Sequence, residues 1–175
     1  RMIVSLDAHC NGGSYIASSS TKSDLISSGC LMIVPTLRNL GIDDYDAIIQ
    51  LWQQAGLHSM RPEGRDSRDA FAAQLAAGQK TIGLEERGRL IGTVVITHDT
   101  RKGWINRLAV HPEYRRKGYA AQLLAAAEKE LRAMRIRVFA VLIEADNKTS
   151  QQFFSREGYK THDIIYMTKR ESAAV

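Results

Sequence analysis

The sequence predicts a mixed α/β fold built on a single core, and three observations carry that reading. The first is the run at residues 108–128, where an apolar strand end feeds a basic turn around Gly118 and then an alanine- and leucine-rich helix. The second is the succession of strand-like apolar runs and helical apolar stripes along residues 32–169. The third is size, since 175 residues suffice for one domain of ordinary dimensions.

The elements follow in order. Residues 1–31 form a polar, small-residue tract with Gly12-Gly13, Ser18-Ser19-Ser20-Thr21 and Ser27-Ser28-Gly29, and they begin with Arg rather than Met. Such a tract reads as a flexible, tag-like extension, with the domain proper at 32–170 and a short tail at 171–175. Residues 31–34 read as the first strand. Asp43 or Asp44 starts a helix reaching about Gly56, with Ile48, Ile49 and Trp52 on one face. After a polar loop, Asp66 or Ser67 starts a second helix that places Phe71 and Leu75 inward and stops at Gly78. Residues 80–86 and 90–97 make a hairpin across Arg87-Gly88-Arg89, and 103–110 is the next strand. A helix from about Gly118 to Met134 buries Leu123, Leu124, Ala127, Leu131 and Met134. Residues 137–144 read as a central strand, 147–156 as a short helix ended by Gly158, and 159–161 and 164–169 as final strands. The sum is six to seven strands and about four helices.

Composition excludes several function classes. No run reaches the roughly twenty apolar residues needed to cross a bilayer, so no membrane role is expected. A net charge of +5 suits an anionic cofactor but is too small and dispersed to argue for nucleic acid. Cys10 and Cys30 both precede the predicted core, so a disulfide framework is not expected and a reducing cytoplasm is the default compartment. No His/Cys cluster has metal-ligand spacing, so no metal is expected. No cysteine falls in the predicted site, which favours direct attack over an acyl-cysteine intermediate.

The chemistry concentrates at residues 108–121. A helix N-terminus has unpaired N–H donors and a partial positive charge, and therefore attracts anions. Gly118 permits positive φ and close backbone approach, while Arg115, Arg116 and Lys117 add charge at the same place. The expected occupant is a phosphate or pyrophosphate. Neither Gly-x-x-x-x-Gly-Lys-Ser/Thr nor Gly-x-Gly-x-x-Gly occurs. What stands here is Arg115-x-x-Gly118-x-Ala120, preceded by Leu108-Ala109-Val110-His111-Pro112-x-Tyr114. This run resembles the signature of the GCN5-related N-acetyltransferases, the GNAT superfamily. Asn147-x-x-Ser150-x-x-Phe153-Phe154-x-x-x-Gly158-Tyr159 resembles a second element of that family.

The resemblance spans 32–169 and implies a central, mostly antiparallel twisted sheet, splayed where acetyl-coenzyme A binds. It implies that the backbone of Leu108, Ala109 and Val110 pairs with the pantetheine arm and donates an N–H to the thioester oxygen. It places the pyrophosphate at Arg115, Arg116, Lys117, Gly118, Tyr119, Ala120 and Ala121, and Asn147 against the pantetheine arm. Phe153, grouped with the cofactor contacts, reads by helical spacing as core packing, and Asn147 also reads as a helix N-cap. Many family members carry a Tyr that protonates the leaving thiolate where this chain has Phe154, so Tyr166, Tyr119 or water is the substitute acid. No Glu stands on the signature strand; Glu144 becomes the expected base, His98 and Asp99 second candidates, and Asn106 an orienter of water or substrate. Arg61 and Arg65, in the loop between the first two helices, are expected either to bind an anionic group on the acceptor or to hold a surface loop through Arg–Asp pairs. The implied activity is acetyl transfer to a small-molecule or peptide amine, with a homodimer by family habit. A catalytically weak coenzyme A-binding regulatory domain is the alternative.

Overall fold

The computed structural model describes residues 34–57 and 59–171. Its strands are β1 (Thr36–Leu40), β2 (Lys80–Glu86), β3 (Arg89–His98), β4 (Gly103–Val110) and β5 (Phe139–Ala140). Its α-helices are α1 (Tyr45–Gln54), entered through a 3₁₀ turn at Ile42–Asp44, α2 (Arg68–Ala76), α3 (Tyr119–Ala133) and α4 (Lys148–Arg156). The sheet runs β1-β2-β3-β4-β5; each of the first four strands is antiparallel to its neighbour in that series, and β5 is parallel to β4.

Local chemistry sets most boundaries. The β2–β3 hairpin turns through Arg87 at φ 54 and Gly88 at φ 73, the left-handed pair that matches the twist of the flanking strands. The Ser67 side chain accepts the Ala70 N–H at 3.2 Å and so begins α2. Asn147 begins α4 in the same way, with Oδ1 accepting the Ser150 N–H at 3.0 Å.

Each face of the sheet is covered. On one side α3 buries Leu123, Leu124, Ala127 and Leu131 against Ile82, Leu84, Val94, Ile96, Ile105, Leu108 and Val110. On the other, α1 and α2 bring Ile48, Trp52 and Phe71 against Leu40, Val95 and Ala109. Sheets buried on both faces are near-continuously apolar, as β3 is from Ile91 to Ile96. Gly103 lets α3 approach β4; a Cβ there would run into the Leu131 side chain.

Several expected elements are corrected. β1 begins at Thr36, with Val34 exposed ahead of it; the rest of the expected strand, residues 31–33, lies outside the described residues, as do the 1–31 extension, both cysteines and 172–175. The expected central strand 137–144 is reduced to Phe139–Ala140 and ends the sheet. Residues 159–161 and 164–169 form no strand, and Ile164, Ile165, Tyr166 and Met167 are exposed. β-Branched and aromatic residues favour strands only where a neighbouring strand and a packed face receive them, and residues 160–169 have neither among the described residues. Among the described residues the sheet therefore has five strands rather than six to seven, with four α-helices as expected. Met134, Ile49 and Leu75 are half-buried, while Leu51 joins the buried face of α1.

Candidate active site

Two irregularities open β4. The first is a bulge: Val95 faces Asn106 and Thr93 faces Ala109, so Arg107 and Leu108 together oppose Val94. Arg107 takes φ 46 there. The bulge resets the side-chain alternation, so that Ile105, Leu108 and Val110 all reach the α3 core while Arg107 and Ala109 turn to the α1 side. The second is the short β4–β5 ladder, which contains only Gly103 opposite Phe139 and Trp104 opposite Ala140. From Ile105 to Val110 the β5-side edge of β4 has no strand partner among the described residues, and the two strands part there.

The parted edge leads directly to a helix start. The segment 111–118 folds back on the strand, because Arg115 Nε donates to the Val110 carbonyl at 3.2 Å and its Nη2 to the Ala55 carbonyl at 3.0 Å. Gly118, at φ 79, is the N-cap of α3 and supplies no side-chain cap. The N–H groups of Tyr119, Ala120 and Ala121 precede the first intrahelical bond, from Gln122 to Gly118. A Cβ on Gly118 would meet nothing within 4 Å, and Arg116 and Lys117 are exposed beside it. Uncapped donors, exposed cations and open space at a glycine fit a pyrophosphate. Arg115, by contrast, is a stitch between β4 and α1.

His111 closes the same corner. It is 7% exposed, and its Nε2 accepts from Arg89 Nη2 at 2.8 Å. Burial pushes its pKa below the ordinary value, and Arg89 and Arg115 push the same way against Glu113. A neutral imidazole bridging β3 to the turn is a structural role.

The loop between α1 and α2 lies on the other side of the bulge. Its centre is Asp66, 7% exposed. Asp66 Oδ2 accepts the Arg61 backbone N–H at 2.7 Å, and Oδ1 accepts from Arg107 Nη2 at 2.6 Å. Arg61 Nη1 donates to the Met60 carbonyl and Arg65 Nη2 to the Ser59 carbonyl. The expected acceptor arginines thus flank a buried carboxylate in a loop tied to β4. Desolvation lowers the Arg107 pKa against the raising effect of Asp66. The sequence offers Asp66 as a helix cap and as the partner of an Arg–Asp pair in this loop, but gives Arg107 no role; the available signal for Arg107 is a lone charge near an apolar strand end.

The remaining expected residues take these places. Leu108, Ala109 and Val110 have buried side chains, leaving only their backbone for a ligand. Asn106 Nδ2 donates to Thr97 Oγ1 at 3.0 Å, and its Oδ1 is buried without a hydrogen-bond partner among the described residues. Glu144 is half-buried just past β5, and its carbonyl accepts the Asn147 N–H. Phe153 is partly buried, and Phe154, 2% exposed, packs between Phe153 and Tyr159 with ring centroids 5.1 Å from each. Tyr119 Oη lies 3.4 Å from Glu86 Oε1. Tyr166 is 68% exposed in the strandless segment after α4. Asp99 folds its own turn by accepting the Arg101 and Lys102 N–H groups, and His98 accepts the Thr100 N–H. Among the described residues no His/Cys/Asp/Glu group could hold a metal, and no helix is long and apolar enough to cross a membrane.

Known proteins resemble this chain in sequence or in fold. An acetyltransferase of Yersinia pestis (strain Pestoides F) is 28% identical over 128 residues, covering 73% of this chain and 89% of its own length. The PaiA N-acetyltransferase of Thermoplasma acidophilum, solved in complex with coenzyme A, has a TM-score of 0.66 at 22% identity, covering 76% of this chain and 94% of that one. The structure of AAC(6')-Iy with the bisubstrate analogue CoA-S-monomethyl-acetylneamine has a TM-score of 0.65 at 18% identity, covering 78% and 99%. At such identities the solved structures speak for the fold. The sequence speaks for the family: residues 45–159, well over half of the chain, match the acetyltransferase (GNAT) family across the bulged strand, the glycine turn and the Asn147 cap. The chain belongs to that family.

Proposed function

We propose that the protein is an N-acetyltransferase that passes an acetyl group from acetyl-coenzyme A to a primary amine in a ternary complex. The observation that carries this reading is the parted edge of β4 ending at the uncapped N-terminus of α3. The N–H groups of residues 119–121, with Arg116 and Lys117, hold the pyrophosphate. The backbone from Leu108 to Val110 lines the pantetheine arm, and Asn147 and Phe153 close its far side. A main-chain N–H at the bulge polarises the thioester carbonyl as an oxyanion hole does.

The amine nitrogen attacks the carbonyl carbon, the C–S bond breaks, and coenzyme A leaves as thiolate. A thiol of pKa about 8.5 needs only about 2 kcal/mol to leave ionised near pH 7, whereas freeing an alkylammonium of pKa about 10.4 costs roughly 4–5 kcal/mol. A base therefore matters more than an acid. Glu144 takes the ammonium proton, directly or through water held by Asn106, and Phe154 in the Tyr position is tolerated. Tyr166 serves as acid only if its segment closes over the slot. Arg61 and Arg65 support an acceptor that carries an anionic group beside its amine, such as an amino acid or peptide.

The test is thiol release from acetyl-coenzyme A across a panel of polyamines, amino acids, aminoglycosides and short peptides, followed by Glu144→Gln on the fastest amine. Turnover with a rate loss in the variant that shrinks as pH rises supports the reading. A variant equal to wild type at every pH removes Glu144 as base. Tight acetyl-coenzyme A binding without turnover of any amine favours a coenzyme A-binding regulatory domain instead.

A further inference from the structure

Arg107 is the sole charged side chain of β4 and sits at its bulge. Its side chain is 13% exposed, its guanidinium lies 4.6 Å above the Trp52 ring, and its Nη1 is buried with no hydrogen-bond partner among the described residues. A buried ion pair with an unsatisfied donor is a poor device for stability alone, because well-packed apolar residues of similar volume often do as well or better. What the pair does accomplish is placement. Asp66 closes the loop on itself, accepting the Arg61 N–H on Oδ2 while its own N–H donates to the Arg61 carbonyl at 3.0 Å. The Asp66 carbonyl in turn accepts from Tyr45 Oη at 2.8 Å. Trp52, beneath the guanidinium, donates from Nε1 to Thr93 Oγ1 at 2.9 Å, on the strand position where the β3–β4 register shifts. Thr93, Trp52, Arg107 and Asp66 thus form one continuous strut from the bulge to the loop.

We propose that Arg107 is a positioning residue for acetyl transfer: through Asp66 it holds the loop at 59–67 at a set distance from the Leu108 backbone, and so holds the acceptor against the acetyl group. The inference rests on the acetyl-transfer reading above and deepens it. The strut does not run through the pyrophosphate site, where Arg115 makes its own ties to Val110 and Ala55. Disturbing Arg107 therefore separates acceptor handling from cofactor binding.

The experiment uses the full chain with Arg107→Lys, Arg107→Met, Asp66→Asn and the double variant Arg107→Met/Asp66→Asn, which leaves no buried charge unpaired should a single variant fail to fold. With the fastest amine of the panel, Arg107→Met lowers kcat/KM about tenfold or more through both a higher amine KM and a lower kcat, and Arg107→Lys falls between it and wild type. The double variant is no worse than Arg107→Met, because the two residues act as one. Coenzyme A affinity by titration calorimetry stays within about twofold of wild type. Hydrogen exchange supplies a readout free of turnover. The amides of Gly64, Asp66 and Ser67, which bond within the loop, exchange at least about tenfold faster in folded Arg107 variants, while those of α3 do not change. Unchanged loop protection overturns the proposal, as does faster exchange with unchanged amine kinetics, or a parallel loss of coenzyme A affinity. Should wild type turn over no amine, the transfer reading fails and positioning for transfer fails with it, while the exchange data still decide whether the strut holds the loop.

Discussion

His111 and Gly118 each show one side chain deciding a local outcome. Protonating His111 would place a new N–H against the Arg89 guanidinium, 2.8 Å from Nε2, in a site that burial already makes hostile to charge. Its folded pKa lies below the ordinary value of about 6.5, so the unfolded chain binds more protons than the folded one as pH falls past that value. The stability it contributes is present above about pH 6.5 and is lost as pH drops through the folded pKa. Thermal melts at pH 7.5, 6.5 and 5.5 are expected to fall more steeply with acid for wild type than for His111→Gln. At Gly118 space is not the constraint, since a Cβ would touch nothing, but φ 79 is. Left-handed backbone costs a non-glycine residue about 1–2 kcal/mol. Gly118→Ala is expected to weaken coenzyme A binding by about tenfold, read by calorimetry, with the fold intact.

At the scale of elements, the central contact is α3 against β4. Leu131 is fully buried and lies against Gly103, where the strand has no side chain. Leu131→Ala should cost about 2–5 kcal/mol in denaturant unfolding. Gly103→Ala should cost about 1–3 kcal/mol, because its methyl overlaps Leu131. The two changes share one space, so the double variant is expected to be more stable than the sum of the singles predicts. An additive result would mean that the close approach at Gly103 does not govern this packing.

Among the described residues the molecule is a sheet covered on both faces, with the β4–β5 ladder ending after Trp104. In the proposed function, binding at this edge draws on α3, β4 and the start of α4 together, so a ligand held there would stabilise the global fold by mass action. At a hundredfold excess over Kd the gain is about 2.7 kcal/mol. For a chain of this length each kcal/mol shifts Tm by roughly 2–4 °C. Saturating coenzyme A should therefore raise Tm by about 5–10 °C in wild type and by less in Gly118→Ala at the same concentration.

What the sequence determined by itself is what short-range chemistry decides. The Gly118 turn, the Arg87-Gly88 hairpin and the Ser67 and Asn147 caps each depend on residues within about one helical turn, and each stands where expected, as does the stripe of α3 from Leu123 to Leu131. The strand end, glycine turn and helix start proposed to hold the cofactor were legible for that reason, since they are consecutive. The extent of β5 and the fate of residues 159–169 were not legible, because apolar β-branched runs show strand propensity whether or not a neighbouring strand receives them. Arg107 was not legible either. Its direction is set by a bulge that inverts the side-chain alternation, and its partner Asp66 lies 41 residues away. Only the tertiary structure brings those residues together, because register and long-range ion pairing depend on which chain segments meet.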